Sequence, residues 1–175
     1  MEISAEQVAT APRIAYVGEA FRHMAAEWDN PLSGEGARIH GGRFNGPDSF
    51  PVLYLCGTRP CAVAELRLRG EPLVIGVEGL LPRVLYQYEV SLDQVLDLTS
   101  AETLDHLGVG TAQIIGADVT IPRQIGESAH ATGSQAIRAP SATGVDEVLA
   151  VFPELLGSGR LLPGLLERWE SLEDL

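Results

Sequence analysis

Glu65 stands in the middle of the apolar run Ala62-Val63-Ala64-Glu65-Leu66. A carboxylate there is costly unless it is paired or used in chemistry. Arg69, four residues on, offers a structural partner on the same helical face. Arg43 lies in Gly41-Gly42-Arg43-Phe44-Asn45, where glycines let the backbone approach a ligand closely. A guanidinium so placed suits bidentate capture of phosphate or carboxylate. The same arginine could instead pin its loop to a backbone carbonyl, and both readings stand. Tyr54 sits in an otherwise apolar strand, where a core tyrosine with one satisfied hydroxyl is the plainer reading. Ser141 follows Pro140 in a turn without the G-x-S-x-G surroundings of a hydrolase nucleophile. His23, His40, His106 and His130 are scattered, with no H-E-x-x-H or H-x-H spacing to favour a metal site.

The elements that must position these residues are read from pattern. Residues 1–12 read as a lead-in segment closed by Ala11-Pro12. Residues 13–175 then form a single domain, with a strand in its first fifteen residues. Residues 29–50 are rich in Gly, Pro, Asn, Asp and Ser, which supply turn geometries. A loop that long inside a compact domain is uncommon, and its two arginines favour a functional role. Residues 51–56 predict a buried strand. Residues 58–69 predict a helix with Thr58 as cap, Pro60 in the first turn and Gly70 beyond its end. Strands follow over 73–77, 84–90, 95–98, 135–138 and 147–152, with short helices over 100–107 and 122–132. Leu162, Leu165, Leu166 and Trp169 predict an amphipathic C-terminal helix over about 161–172. Strands and helices mix without regular alternation, so the expected class is α+β: a mixed sheet with flanking helices.

The chain has 175 residues and a formal net charge of −12, and all 12 of its basic residues are arginine. A broad electrostatic grip on nucleic acid or an anionic membrane is excluded. Without lysine there is no Schiff-base chemistry and no Walker-type phosphate lysine. Residues 1–70 hold seven Arg against eight acids, whereas 71–175 hold five against sixteen. An anion site should therefore draw its arginines from the first part. Cys56 and Cys61 have no C-x-x-C spacing and read as buried free thiols in a reducing compartment. The acidic N-terminal residues do not read as a signal peptide, and no window approaches the ~18–20 apolar residues of a membrane span. A cytoplasmic protein is expected.

Taken in order, LSGEGARIHGGRFN (32–45), Val52-Leu53-Tyr54, Ala62-Val63-Ala64-Glu65 and Pro140-Ser141 resemble the RES domain, a family named for an arginine, a glutamate and a serine. The family typically has Trp where this chain has Phe44. The resemblance implies an ADP-ribosyltransferase-like fold whose cleft takes NAD+ as substrate, with no resident cofactor or metal. It implies a toxin of a toxin–antitoxin pair that cleaves the nicotinamide–ribose bond, passing ADP-ribose to phosphate or water. The implied partner is an Xre-like antitoxin that plugs the cleft; self-association is left open. Matched residue by residue, the implied catalytic groups are Glu65, Arg43 and Tyr54. Arg22, Arg43, Tyr54 and Ser141 are the implied NAD+ contacts. Transfer of ADP-ribose to a protein, and an inactive NAD-binding or interaction module, stay open as alternatives.

Overall fold

The computed structural model describes residues 2–175. The chain starts with a helix rather than a lead-in: α1 (Ala5–Thr10) is closed by a capping box between Ser4 and Gln7. It packs on the domain through the fully buried Val8 and the nearly buried Ile3. Ser-x-x-Gln is the signature of such a box, and anchoring follows from Ile3 N–H donating to Gln124 Oε1 at 3.0 Å.

β1 (Arg13–Ala25) comes next, then the short helix α2 (Glu35–His40) inside the expected loop. β2 (Leu53–Cys56) and α3 (Arg59–Gly70) follow, Thr58 capping α3 by accepting from Cys61 N–H. The strand expected over 73–77 is not formed. Leu73 and Gly76 N–H donate to Gly70 and Leu73 carbonyls, closing tight turns. Gly76 takes φ +62°, and Leu73, Val74 and Ile75 are exposed. Apolar composition alone does not make a strand.

The two strands expected over 84–98 are one, β3 (Arg83–Asp97). Four helices and strands complete the central part: α4 (Ala101–Leu107), α5 (Thr111–Ile115), α6 (Thr120–Ala131) and β4 (Ala136–Pro140). β5 (Glu147–Val151) and β6 (Arg160–Trp169) end the sheet. The C-terminal helix expected over 161–172 is therefore a strand. β6 pairs antiparallel with β3 from Arg83↔Trp169 to Ser91↔Arg160, with a bulge near Leu166. Three of the four residues assigned to an apolar helical stripe, Leu162, Leu165 and Leu166, are exposed, while Leu161 and Trp169 are buried. Pro163-Gly164 disfavours helix, and the open edge of β3 offers hydrogen bonds that a surface helix would leave unused.

The sheet order β1-β2-β5-β4-β3 is closed by a β1–β3 pairing, and β6 extends from β3. Only β3–β4 is parallel. The α+β class with one mixed sheet and flanking helices is thus the observed architecture. Helices α1, α4, α5 and α6 cover one face around Leu96, Ile125, Ile137 and Phe152. α3 covers another through Cys61, Ala62 and Leu66 against Leu85 and Trp169. No helix among the described residues is long and apolar enough to cross a membrane.

One close approach fixes the glycine-rich loop to this frame. A Cβ on Gly126 of α6 would lie 1.7 Å from the Phe44 carbonyl oxygen. Gly126→Ala is expected to cost about 1–3 kcal/mol through overpacking, read as a lowered midpoint in urea unfolding. An unchanged midpoint would show that the loop can move away freely.

Candidate active site

A cleft of about 620 Å³ opens beside α3, between the glycine-rich loop and the starts of β1's partner strands. Arg22, Arg43, Tyr54 and Glu65 all line it, with Ser141 flanked by the lining residues Pro140 and Ala142. Chain segments far apart in sequence thus bring the five expected residues together. Glu65 is the only carboxylate lining the cleft among the described residues.

Glu65 does not pair with Arg69. The Ser141 hydroxyl donates to Glu65 Oε1 at 2.7 Å across 76 residues of chain. Ser141 is almost fully buried and its Oγ also accepts from Thr143 N–H at 3.1 Å. With its proton committed to Glu65, Ser141 accepts from the Thr143 hydroxyl as well, 2.6 Å away. A charge-assisted bond of this kind contributes about 1.5–3 kcal/mol, and it holds the carboxylate in one rotamer with Oε2 left for a ligand.

Tyr54 works on the loop. Its hydroxyl accepts from Phe44 N–H at 2.9 Å and donates to Asn45 Oδ1 at 2.8 Å. Asn45, wholly buried, donates through Nδ2 to the Ala37 carbonyl at 2.7 Å. Burial drives the Tyr54 phenol well above its ordinary ionisation range, so it is a neutral hydrogen-bonding group. Gly42 packs on its ring: a Cβ there would meet the phenol oxygen at 2.5 Å. Asn45 escaped the sequence reading, although a polar residue closing a Gly-Gly-Arg turn is a signal for such a tie.

The arginines are held by carbonyls. Arg43 Nη1 donates to Ile114 and Gly116 carbonyls at 2.9 and 2.8 Å. Arg22 donates through Nη1 and Nη2 to Pro31 and Ser33 carbonyls, each at 3.1 Å. Loop pinning by Arg43 is therefore real, and it leaves Nε and Nη2 without a partner in the chain. Two further arginines line the cleft: Arg69, read from sequence only as a partner for Glu65, and Arg83, which was not singled out. Arg83 is nearly buried and donates from Nε to His23 Nδ1 at 2.8 Å. Burial, with Arg69 and Arg22 nearby, pushes the Arg83 guanidinium down to about 10. His23 is held well below its ordinary value by burial first and by Arg83, Arg69 and Arg22 next. A neutral imidazole is what Arg83 requires as an acceptor.

The RES domain model matches residues 17–161. The chain belongs to the RES domain family. Among curated RES relatives it is similar to the NAD(+) phosphorylase MbcT of Mycobacterium bovis and that of Mycobacterium tuberculosis. Each is 30% identical over 155 residues, covering 87% of this chain and 80% of the relative. Among solved structures it is similar to a chain of the M. tuberculosis MbcT–MbcA toxin–antitoxin complex. That likeness has a TM-score of 0.76 at 26% identity and covers 94% of this chain and 89% of the other. Within this RES domain Glu65 and Ser141 are joined by a hydrogen bond.

The His23–Arg83 contact makes stability depend on acid. Unfolded, the imidazole takes a proton near its ordinary value of 6.5, whereas in the folded chain it does so only at lower pH. Stability is therefore lost as pH falls below that value, by up to about 1.4 kcal/mol per pH unit for one group. His23→Asn, which keeps an acceptor for Arg83, is expected to flatten this slope in urea unfolding followed from neutral pH downward. A slope equal to that of the parent protein would show that His23 is not the group responsible.

Proposed function

We propose that the cleft binds NAD+ and cleaves its nicotinamide–ribose bond, passing ADP-ribose to inorganic phosphate, and that the chain is the toxin of a toxin–antitoxin pair. The observation that carries this reading is the Ser141–Glu65 pair: one oriented carboxylate in a cleft that is also lined by Arg22, Arg43, Arg69 and Arg83. It is supported by the names of the RES relatives, NAD(+) phosphorylases, and by the toxin–antitoxin complex of the solved neighbour. Breaking the bond from C1″ to the pyridinium nitrogen develops positive charge on the ribose. Glu65 stabilises that charge, or grips the ribose hydroxyls, through the oxygen Ser141 leaves free. Arg22 and Arg43 take the pyrophosphate with the donors not engaged by carbonyls. Tyr54 fixes the loop that carries Arg43 and offers its ring face to the nicotinamide.

The leaving group needs no acid, because the pyridinium nitrogen departs as a neutral ring when it takes the bonding pair. Residues 13–175 act in this reading as one RES-type domain, in the cytoplasm, with an Xre-like antitoxin as its inhibitor.

Glu65→Gln keeps size and the hydrogen bond to Ser141 but removes charge, so nicotinamide release should fall by about 10²-fold or more with the fold intact by circular dichroism. The assay is NAD+ depletion by purified protein with products resolved, run with and without phosphate. A rate within twofold of the parent, by about the scatter of such assays, would remove Glu65 from the chemistry. Expression of the parent protein should arrest growth, and Glu65→Gln should relieve that arrest.

A further inference from the structure

Arg83 presents an unusual arrangement for a buried cation. Arg22 and Arg69 also line the cleft and lie near enough to bear on its charge. Among the described residues none of the three takes part in an ion pair. Arg22 is occupied at both Nη atoms by carbonyls. Arg83 is engaged only at Nε, by a neutral ring. Its Nη nitrogens have no partner in the chain and are not among the sealed-off unpaired polar atoms, so they open to the cleft. Arg69 lies on the exposed last turn of α3 and reaches the same cleft. A guanidinium held nine-tenths out of water beside like charges is costly unless an anion completes it.

We propose that Arg69 and Arg83 form a subsite for the acceptor in the reaction, an inorganic phosphate dianion, separate from the Arg43 side of the cleft. The inference rests on the NAD+-cleaving reading and adds where the second substrate sits. Arg69 follows Glu65 by four residues on one helix, a rise of about 6 Å along its axis. An anion held there lies one helical turn from the carboxylate that faces the ribose. Arg43, by contrast, is tied to α5 and the residue after it through the carbonyls of Ile114 and Gly116. The free phosphate then has Arg69 and Arg83, the dinucleotide's pyrophosphate has Arg43, and Arg22, which lies near Arg83, can serve either anion.

The step balances without a general base. An unprotonated phosphate oxygen bonds to C1″ as the bond from C1″ to nitrogen breaks. The bonding pair goes to the pyridinium ring, which leaves as neutral nicotinamide. The one proton of the hydrogen phosphate dianion stays on the new phosphate ester during the step and dissociates to solvent afterwards. No electrons are exchanged with a third species. This fits a cleft whose Tyr54 and Ser141 hydroxyls and His23 imidazole are already engaged.

Arg69→Gln decides the matter, because residue 69 is on an exposed turn and its change should leave the fold intact; Arg83→Met is the buried companion. With Arg69→Gln, the KM for phosphate should rise about tenfold or more, and the ratio of ADP-ribose-1″-phosphate to ADP-ribose should fall by a similar factor, while the KM for NAD+ stays within about twofold. A raised KM for NAD+ with phosphate dependence unchanged would assign the subsite to the dinucleotide's pyrophosphate and overturn the proposal. No change in either constant would also overturn it. Calorimetry with inorganic phosphate alone separates this from the enzymatic reading. A parent protein that releases no nicotinamide overturns that reading. Phosphate heat lost in Arg69→Gln still supports the anion site, and no heat in either protein excludes it.

Discussion

Guanidinium groups held by carbonyl oxygens rather than carboxylates are the constraint on which the cleft depends. In a chain with twice as many acidic as basic residues, ordinary ion pairing would leave no positive field anywhere. The fold avoids this by placing acids elsewhere. Arg59 and Arg138 take carboxylates at Glu167 and Glu147, whereas Arg22 and Arg43 take main-chain oxygens. A carbonyl orients a guanidinium and satisfies part of its fork without cancelling its charge. The segments 31–33 and 114–116 are therefore shaped by the arginines as much as the arginines are held by them. Tyr88 adds to this: its hydroxyl donates to the same Pro31 carbonyl at 2.6 Å.

That constraint explains why two of the cleft's arginines were legible in the sequence and two were not. Arg43 announced itself by its glycines, and Arg22 by its place relative to the family motif. Arg83 begins a strand after Pro82, with nothing local to mark it, and its surroundings come from His23 on β1 through the Ala25↔Arg83 end of the ladder. Arg69 reads locally as a partner for Glu65. The structure gives that role to Ser141, 76 residues from Glu65. Pairing choices of this kind belong to tertiary structure, which spacing along one helix does not encode. The capped helix at 59–70 and the buried strand at 53–56 were legible because caps, turn residues and apolar runs are local signals.

The elements that sequence pattern misread share a different cause. Leu162, Leu165 and Leu166 have helical spacing, but a strand edge on β3 was available and Pro163-Gly164 opposed helix. The apolar residues 73–75 pair with no strand and remain exposed in turns. Hydrophobic spacing reports which residues a helix would bury. It does not report whether another element has unpaired hydrogen-bonding groups, and in this sheet that decided the first case. Neither segment carries Glu65, Arg43 or Ser141, so misreading them left the site intact.

The state of the polar groups limits what chemistry the cleft can perform. Ser141 donates to Glu65 and accepts from Thr143, and no histidine is among its partners. Tyr54 is engaged on both sides, and burial keeps its phenol neutral. His23 accepts from Arg83. None of these is set up as an activated nucleophile or a free base. Beside them stand charges, Glu65 Oε2, the free donors of Arg43 and the Nη nitrogens of Arg83, and the exposed imidazole of His40 at the cleft wall. A site of this composition works by fixing charges around a bond whose leaving group is already good, because preorganised electrostatics need no proton transfer at the moment of cleavage. The hydroxyls and the His23 imidazole then have a definite task, which is to prevent those charges from moving.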